Sequence, residues 1–241
     1  MSVLLDVATH QAEVRHIEEV GARFRLVSLT AEGFRNASWT PGDIVQIIVS
    51  GVALLGTWEI RSYTPLAFDP GTGTADILWY VHGNGPGSGW GDSAEVGTPC
   101  RLLGPRRALS LRKPQRPLVF FGDETSFSTA VALRETSSGH RDVRFVFEVD
   151  SVEGARTVVE RFGIGDSAEL IPREEDDRHL DEVEREVLDA YRSTAAANGV
   201  LTGKASSIQR LYRALRVAGV PGRQVTNVPY WAPGKKGLKG H

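Results

Sequence analysis

A change of hydrophobic period near residue 115 divides this 241-residue chain into two regions that need different architectures. Before it, short segments alternate polar and apolar side chains, as half-buried strands do. Residues 22–29 set Arg23 and Arg25 against Phe24 and Leu26, and comparable runs occupy 13–20, 43–49, 57–63, 75–81 and 98–103. Turn signals separate them at Pro41-Gly42, Asp69-Pro70-Gly71 and Gly104-Pro105. Six short strands with little helix predict a six-stranded antiparallel barrel. After it, strands alternate with helices. The apolar run at 117–121 reads as a buried strand, 143–149 and 168–172 as the second and third strands, and 125–135, 152–162 and 180–196 as helices. A last helix carries Ile208, Leu211, Tyr212 and Leu215 on one stripe. That alternation predicts an open parallel α/β sheet. The expected fold class is therefore β + α/β, with domains 1–115 and 116–241.

Bulk properties remove several classes. A net charge of −2 argues against a generally basic nucleic-acid binder. Cys100 is the single cysteine, so no internal disulfide can form and a reducing compartment is expected. A small core residue is the better reading of Cys100 than a catalytic thiol. The N-terminus has neither a basic stretch nor a long apolar run, and no segment approaches the roughly 20 apolar residues of a membrane span. A cytoplasmic monomer is the expectation. The six histidines are scattered, no Cys pair suggests a metal site, and no G-x-S-x-G elbow supports hydrolase chemistry.

Chemistry concentrates in four places. Arg61-Ser62-Tyr63-Thr64 ends a strand, where period two puts Arg61 and Tyr63 on one face. A guanidinium fork suits a diphosphate and an aromatic plate suits a flat ring. About twenty residues on, His82-Gly83-Asn84-Gly85-Pro86-Gly87-Ser88-Gly89-Trp90 turns from a strand towards a helix expected over 89–94. Its amides, with Ser88, could hold an anion, although such a turn can also be a plain surface loop. Gly122-Asp123-Glu124-Thr125-Ser126 follows the first parallel strand, where open α/β sheets bind ligands. The same residues also read as a helix start, with Thr125 or Ser126 as N-cap and two acids complementing the dipole. Finally, Tyr230 and Trp231 precede a basic tail with Lys235, Lys236 and Lys239, a solvated segment or a clamp for an anionic ligand. The first two motifs together point to FAD.

In these motifs the chain resembles the siderophore-interacting proteins, FAD-dependent ferric-siderophore reductases within the ferredoxin–NADP reductase-like group. Arg61–Thr64 resembles the family's R-x-Y-T, residues 82–90 its H-G-x-x-G-P-A-S-x-W with Gly87 in place of alanine, Gly122–Thr125 its G-D-E-T, and Tyr230-Trp231 its C-terminal Y-W. The resemblance implies that Arg61 pairs with FAD phosphate, Tyr63 packs on the isoalloxazine and Thr64 approaches its N5/O4 edge. It implies that the 85–88 turn carries the pyrophosphate, with Ser62, His82, Gly83 and Trp90 in the same cofactor set. Gly122, Asp123 and Thr125 would lie on the nicotinamide side, and Tyr230 and Trp231 with them. Lys235, Lys236 and Lys239 would meet a negatively charged ferric siderophore. NAD(P)H or reduced ferredoxin is the implied electron donor. A general flavin or ferredoxin reductase without a siderophore site, and a non-catalytic flavin or siderophore carrier, are the alternatives. Three positions depart from the pattern: Leu66 where a second arginine is usual, Lys204 in Thr202-Gly203-Lys204 where A-G-E is usual, and Pro229 before the Y-W.

Overall fold

The computed structural model describes residues 9–52, 57–83, 85–107, 117–136 and 143–235, in two compact units that divide between residues 110 and 111. The first contains β1 (His10–Gly21), β2 (Phe24–Ala31), β3 (Ile44–Val52), β4 (Thr57–Tyr63), β5 (Ala67–Asp69), β6 (Thr74–Tyr80) and β7 (Pro99–Arg106), with one helix, α1 (Pro86–Ser93). All pairings are antiparallel, in the order β4-β3-β7-β1-β2-β6-β5. The expected barrel is a curled half-barrel sheet of seven strands rather than six. The added strand, β5, has three residues lodged between Thr64-Pro65 and Asp69-Pro70-Gly71. Turn-forming neighbours that close mask so short an edge strand in the sequence.

The inward faces of these strands form the core. Val14, Val27, Leu29, Val45, Ile47, Ile77 and Leu102 have no exposed surface, and Phe34 and Trp79 are packed among them. Each such aliphatic side chain contributes about 1.5–3 kcal/mol by leaving water. Cys100 belongs to this cluster, and burial pushes its thiol up to about 12. It is the core residue expected.

The second unit contains β8 (Leu118–Gly122), α2 (Phe127–Thr136), β9 (Val143–Val149), α3 (Val152–Arg161), β10 (Ala168–Pro172), α4 (Leu180–Ser193), β11 (Asn198–Lys204), α5 (Ala205–Val217) and β12 (Val225–Trp231). The five strands are parallel, in the order β10-β9-β8-β11-β12. β8 starts in the middle, the chain steps outward to β10, then crosses back to β11. The order therefore reverses between β8 and β11, and a crevice opens at the carboxyl ends of strands where that happens. Phe120, Phe121, Phe145 and Phe147 are buried, as strands covered on both faces require. β9 and β10 have their expected bounds. α4 ends three residues early, because Thr194 turns extended, with φ −121°. β12 was not anticipated as a strand; Pro229 sits inside it, which an edge strand tolerates because one row of its amides has no ladder partner. No helix among the described residues is long and apolar enough to cross a membrane.

Candidate functional site

In the first unit, β4 lies at the sheet edge and pairs with β3, setting Arg61 opposite Ile47 and Tyr63 opposite Val45. Both side chains are half-buried and point to one face, as their spacing requires. The Tyr63 ring rests on Trp79 at 4.0 Å between centroids, and Trp79 on Trp90 at 4.7 Å, so three aromatic rings form one continuous floor. Burial pushes the Tyr63 hydroxyl well above its ordinary value, against the smaller opposing pull of Arg61. It stays protonated.

α1 is fastened across this floor. Trp79 Nε1 donates to the Gly87 carbonyl at 2.9 Å, and Arg25 donates to the carbonyls of Gly91, Asp92 and Ala94 at the helix's far end. Gly91 must be glycine, since a Cβ there would lie 2.1 Å from the Trp79 ring. The helix begins at Pro86 rather than residue 89, because Gly85 is extended at the N-cap and proline's fixed φ suits the first helical position. A Cβ on Gly87 would meet the Tyr63 hydroxyl at 3.0 Å and Arg61 Cγ at 3.2 Å. Alanine at this position would press on both residues that glycine lets approach.

The glycines of the turn differ among themselves. A Cβ on Gly83, Gly85 or Gly89 would meet nothing within 4 Å, so the backbone there faces open space. Ser88 is instead buried and closes the turn. Its hydroxyl accepts from the His82 amide at 2.7 Å and donates to the His82 carbonyl at 2.5 Å. Its one proton is thus committed to the turn rather than directed at a ligand. His82 stacks on Tyr80 at 5.2 Å, which fixes its ring. Arg61 donates to the Ile60 carbonyl at 3.0 Å and lies 3.5 Å from Glu59. A phosphate would compete with Glu59 for that guanidinium. Ser62 is exposed and Thr64 half-buried at the end of the same strand, while Leu66 has its amide bonded to the Asp76 carbonyl at 2.8 Å. An aromatic floor, a guanidinium and open glycine amides fit a flat ring carrying a diphosphate.

In the second unit the structure brings the two distant motifs together. Asp123, with no exposed surface, accepts 2.7 Å from Trp231 Nε1 across 108 residues, and also accepts from the Thr125 amide at 2.9 Å and the Thr125 hydroxyl. Tyr230 Oη lies 2.8 Å from Thr129 Oγ1. Asp123, not Thr125 or Ser126, is the N-cap, in a capping box with Ser126. Burial raises its carboxyl above the ordinary range, opposed by the hydrogen bonds from Thr125 and Trp231. Gly122 and Gly203 let the strand ends close: a Cβ on Gly203, whose φ is +92°, would lie 2.4 Å from Asp123 Oδ2. Lys235 is exposed beyond β12, while Asn84, Lys236 and Lys239 lie outside the described residues.

Further charged residues join this network, and of these Asp150, Arg173 and His179 belong to no motif. Glu124 is buried and accepts from Arg173 Nη2 at 2.8 Å and from the Asp150 amide at 2.5 Å. Burial raises its carboxyl, and Arg173 pulls it back. Glu148, fully buried, is bonded by His179 Nε2 at 2.9 Å and by the Ser207 hydroxyl at 2.9 Å. Lys204, at the charge-reversed position, is buried and pairs with Asp177 at 2.6 Å. A buried lysine needs such a partner. Among the described residues, no group of His, Cys, Asp and Glu is arranged to hold a metal ion.

Residues 57–109, which contain the Arg61–Thr64 strand and the glycine turn, match the family model of the siderophore-interacting FAD-binding domain. Among solved structures, the fold is similar to a siderophore utilization protein from T. fusca (TM-score 0.75, 22% identity, covering 97% of this chain and 96% of that one). It is also similar to the siderophore-interacting protein SipS from Aeromonas hydrophila (TM-score 0.73, 18% identity, 93% and 98% covered). A ferredoxin reductase in carbazole 1,9a-dioxygenase shares it at TM-score 0.70, with 19% identity, 92% of this chain and 69% of that one. No curated protein sequence matches the chain. The resemblance in the motifs and the family model agree on a siderophore-interacting FAD-binding domain over residues 57–109, and the fold of the chain is ferredoxin reductase-like.

Proposed function

We propose that the protein is an FAD-dependent ferric-siderophore reductase, releasing iron in the cytoplasm. The observation that carries this reading is the family match over 57–109, which covers the aromatic floor of Tyr63, Trp79 and Trp90, Arg61 and the open turn glycines. In this reading residues 1–115 bind FAD and residues 116–241 form the nucleotide-binding-like domain. Tyr63 supports the ring system, Thr64 meets its polar edge, and Ser62 flanks them. Arg61 leaves Glu59 for a phosphate, while the amides of the 85–88 turn hold the diphosphate. His82, Pro86 and Trp90 fix the shape of that turn. By the same resemblance Gly122, Asp123, Thr125, Tyr230 and Trp231 belong to the cofactor's nicotinamide side, and Lys235, Lys236 and Lys239 to a negatively charged chelate.

The flavin supplies an acceptor for two electrons that can return them one at a time. The protein then needs no general acid, base or nucleophile. Its residues bind, orient and shield. Hard oxygen donors hold Fe(III) far more firmly than Fe(II), so reduction loosens the chelate. The electrons come from a pyridine nucleotide, the donor typical of the family, or from reduced ferredoxin.

Anaerobic absorbance spectroscopy tests the reading. The purified protein is expected to be yellow, to bleach with NADH, NADPH or reduced ferredoxin, and to recolour on adding a ferric siderophore. Colourless protein that takes up no FAD overturns it. Protein that binds FAD but never bleaches is a carrier instead. Bleached protein that recolours with oxygen but not with ferric chelates is a reductase without a siderophore site.

A further inference from the structure

The strand that carries the ligand face also carries an acid on it. Glu59, Arg61 and Tyr63 are spaced by two along β4, so their side chains leave the strand on one side. Glu59 Oε2 lies 3.5 Å from Arg61 Nη2, and each side chain is only 26% exposed. Water screens such a pair less than it screens one on the open surface. Arg61 Nη1 donates to the Ile60 carbonyl at 3.0 Å. Both ends of the guanidinium fork are thus directed at the protein's own oxygens. The stem is confined as well, since it passes Gly87 so closely that a Cβ there would meet Arg61 Cγ at 3.2 Å and Cδ at 3.8 Å.

The arginines of the neighbouring strand β2 are committed elsewhere. Arg25 gives its guanidinium to Glu19 at 2.8 Å and to the carbonyls of Gly91, Asp92 and Ala94. Arg23 donates to the Val81 carbonyl at 3.0 Å and stands over the Tyr80 ring. Position 66 is a leucine. With Arg23 and Arg25 committed, the positive charge of the site rests on Arg61, and the Glu59 carboxylate cancels it. A dianionic diphosphate meets little net attraction here, whereas a flat ring meets the whole of the aromatic floor.

Resting on the reading above, we propose that Glu59 is a positioning residue that keeps FAD dissociable. Its carboxylate plays the part of a phosphate oxygen for Arg61 until a phosphate arrives, and its charge opposes the diphosphate afterwards. Breaking the Glu59–Arg61 contact and bringing like charges to one guanidinium both weaken binding. The ring on Tyr63 bears neither cost. Glu59 therefore lowers affinity for the diphosphate and leaves affinity for the ring untouched, so that FAD occupancy follows the free FAD concentration.

Flavin fluorescence reads the binding apart from turnover. Titrations with FAD, and with riboflavin, which lacks the phosphates, compare the wild-type protein with Glu59→Gln, which keeps the side chain's shape and removes its charge. FAD is expected to bind Glu59→Gln about tenfold more tightly, chiefly through slower release, with riboflavin affinity unchanged. Salt should weaken FAD binding in Glu59→Gln and hardly affect the wild type, whose local charge is cancelled. Glu59→Asp, which keeps the charge, should stay nearer the wild type. In an Arg61→Ala background the gain from Glu59→Gln should shrink, because only the repulsion is left to relieve. Equal or weaker FAD binding by Glu59→Gln overturns the proposal, as does an equal gain for riboflavin, which would place the effect on the ring. An undiminished gain in the Arg61→Ala background overturns the action through Arg61. Wild-type protein that takes up neither flavin sinks the flavoprotein reading and the proposal with it.

Discussion

The ligand face of the first unit and the strand ends of the second are built on opposite principles. Around Tyr63 and the 83–89 turn, side chains stop short: glycines face open space, a tyrosine ring is half-exposed, and Arg61 is held loosely by Glu59 at 3.5 Å. At the ends of β8, β9 and β11 every charged group has been given an internal partner, and Asp123, Glu148 and Thr202 have no exposed surface at all. A face left incomplete awaits something. A face completed from within is scaffold, whatever its position in the fold suggests.

That contrast can be broken by mutation. If the strand ends are scaffold, Arg173→Ala should give the largest stability loss, about 3–5 kcal/mol, because it leaves Glu124 buried without its cation. Glu124, its carboxyl already raised by burial, can soften the loss by taking up a proton. A raised carboxyl costs stability as pH climbs from its unfolded value through its folded one. The deficit should therefore be larger at pH 8 than at pH 5, and urea unfolding at both reads it. A deficit that is the same at both values would show that Glu124 does not titrate in the variant.

Arg61→Ala should do the reverse, keeping stability and weakening FAD about ten- to a hundredfold, the range for a lost hydrogen bond to a charged group. Fluorescence titration measures it, and equal affinity would remove Arg61 from the phosphate site. Gly91→Ala should act on both properties. Its Cβ collides with Trp79, so about 1–3 kcal/mol of overpacking is expected, with FAD affinity falling as the floor shifts. Crystallography or near-UV circular dichroism would report the displaced indole. The smallest effect concerns Cys100. With its thiol pushed up to about 12, native protein should resist iodoacetamide at pH 8, whereas urea-unfolded protein reacts. Fast native labelling would mean that this part of the first core opens.

Legibility in the sequence followed the same division. β9 and β10 were readable to the residue because their apolar side chains are concentrated in short segments, Phe145–Phe147 and Leu170-Ile171, set between helical patterns. The Arg61–Tyr63 face was readable because alternation alone assigns it. β12 was hidden, since its exposed Thr226, Asn227 and Pro229 look like loop when the partner strand is unknown. The 173–179 segment was hidden for a related reason. Glu174, Glu175 and Asp176 are exposed as a charged run predicts, yet Arg173, Asp177 and His179 in the same stretch turn inward to partners far along the chain. Local pattern carries no information about such partners. Lys204 shows the point most clearly, as a charge reversal whose compensation lies in another loop.

The hydrogen bond from Trp231 to Asp123 also sets a clock. Asp123 is made early, just after the first strand of the second sheet, but its buried carboxylate acquires its indole donor only when residue 231 arrives. Synthesis at roughly 5–20 residues per second puts about 5–20 s between the two. Throughout that interval Asp123 lacks one of its partners, and β11, once made, keeps an open edge until β12 follows. The second unit can therefore complete its sheet only after β12 has left the ribosome, which makes the nascent chain, rather than the finished protein, the stage most exposed to misassembly.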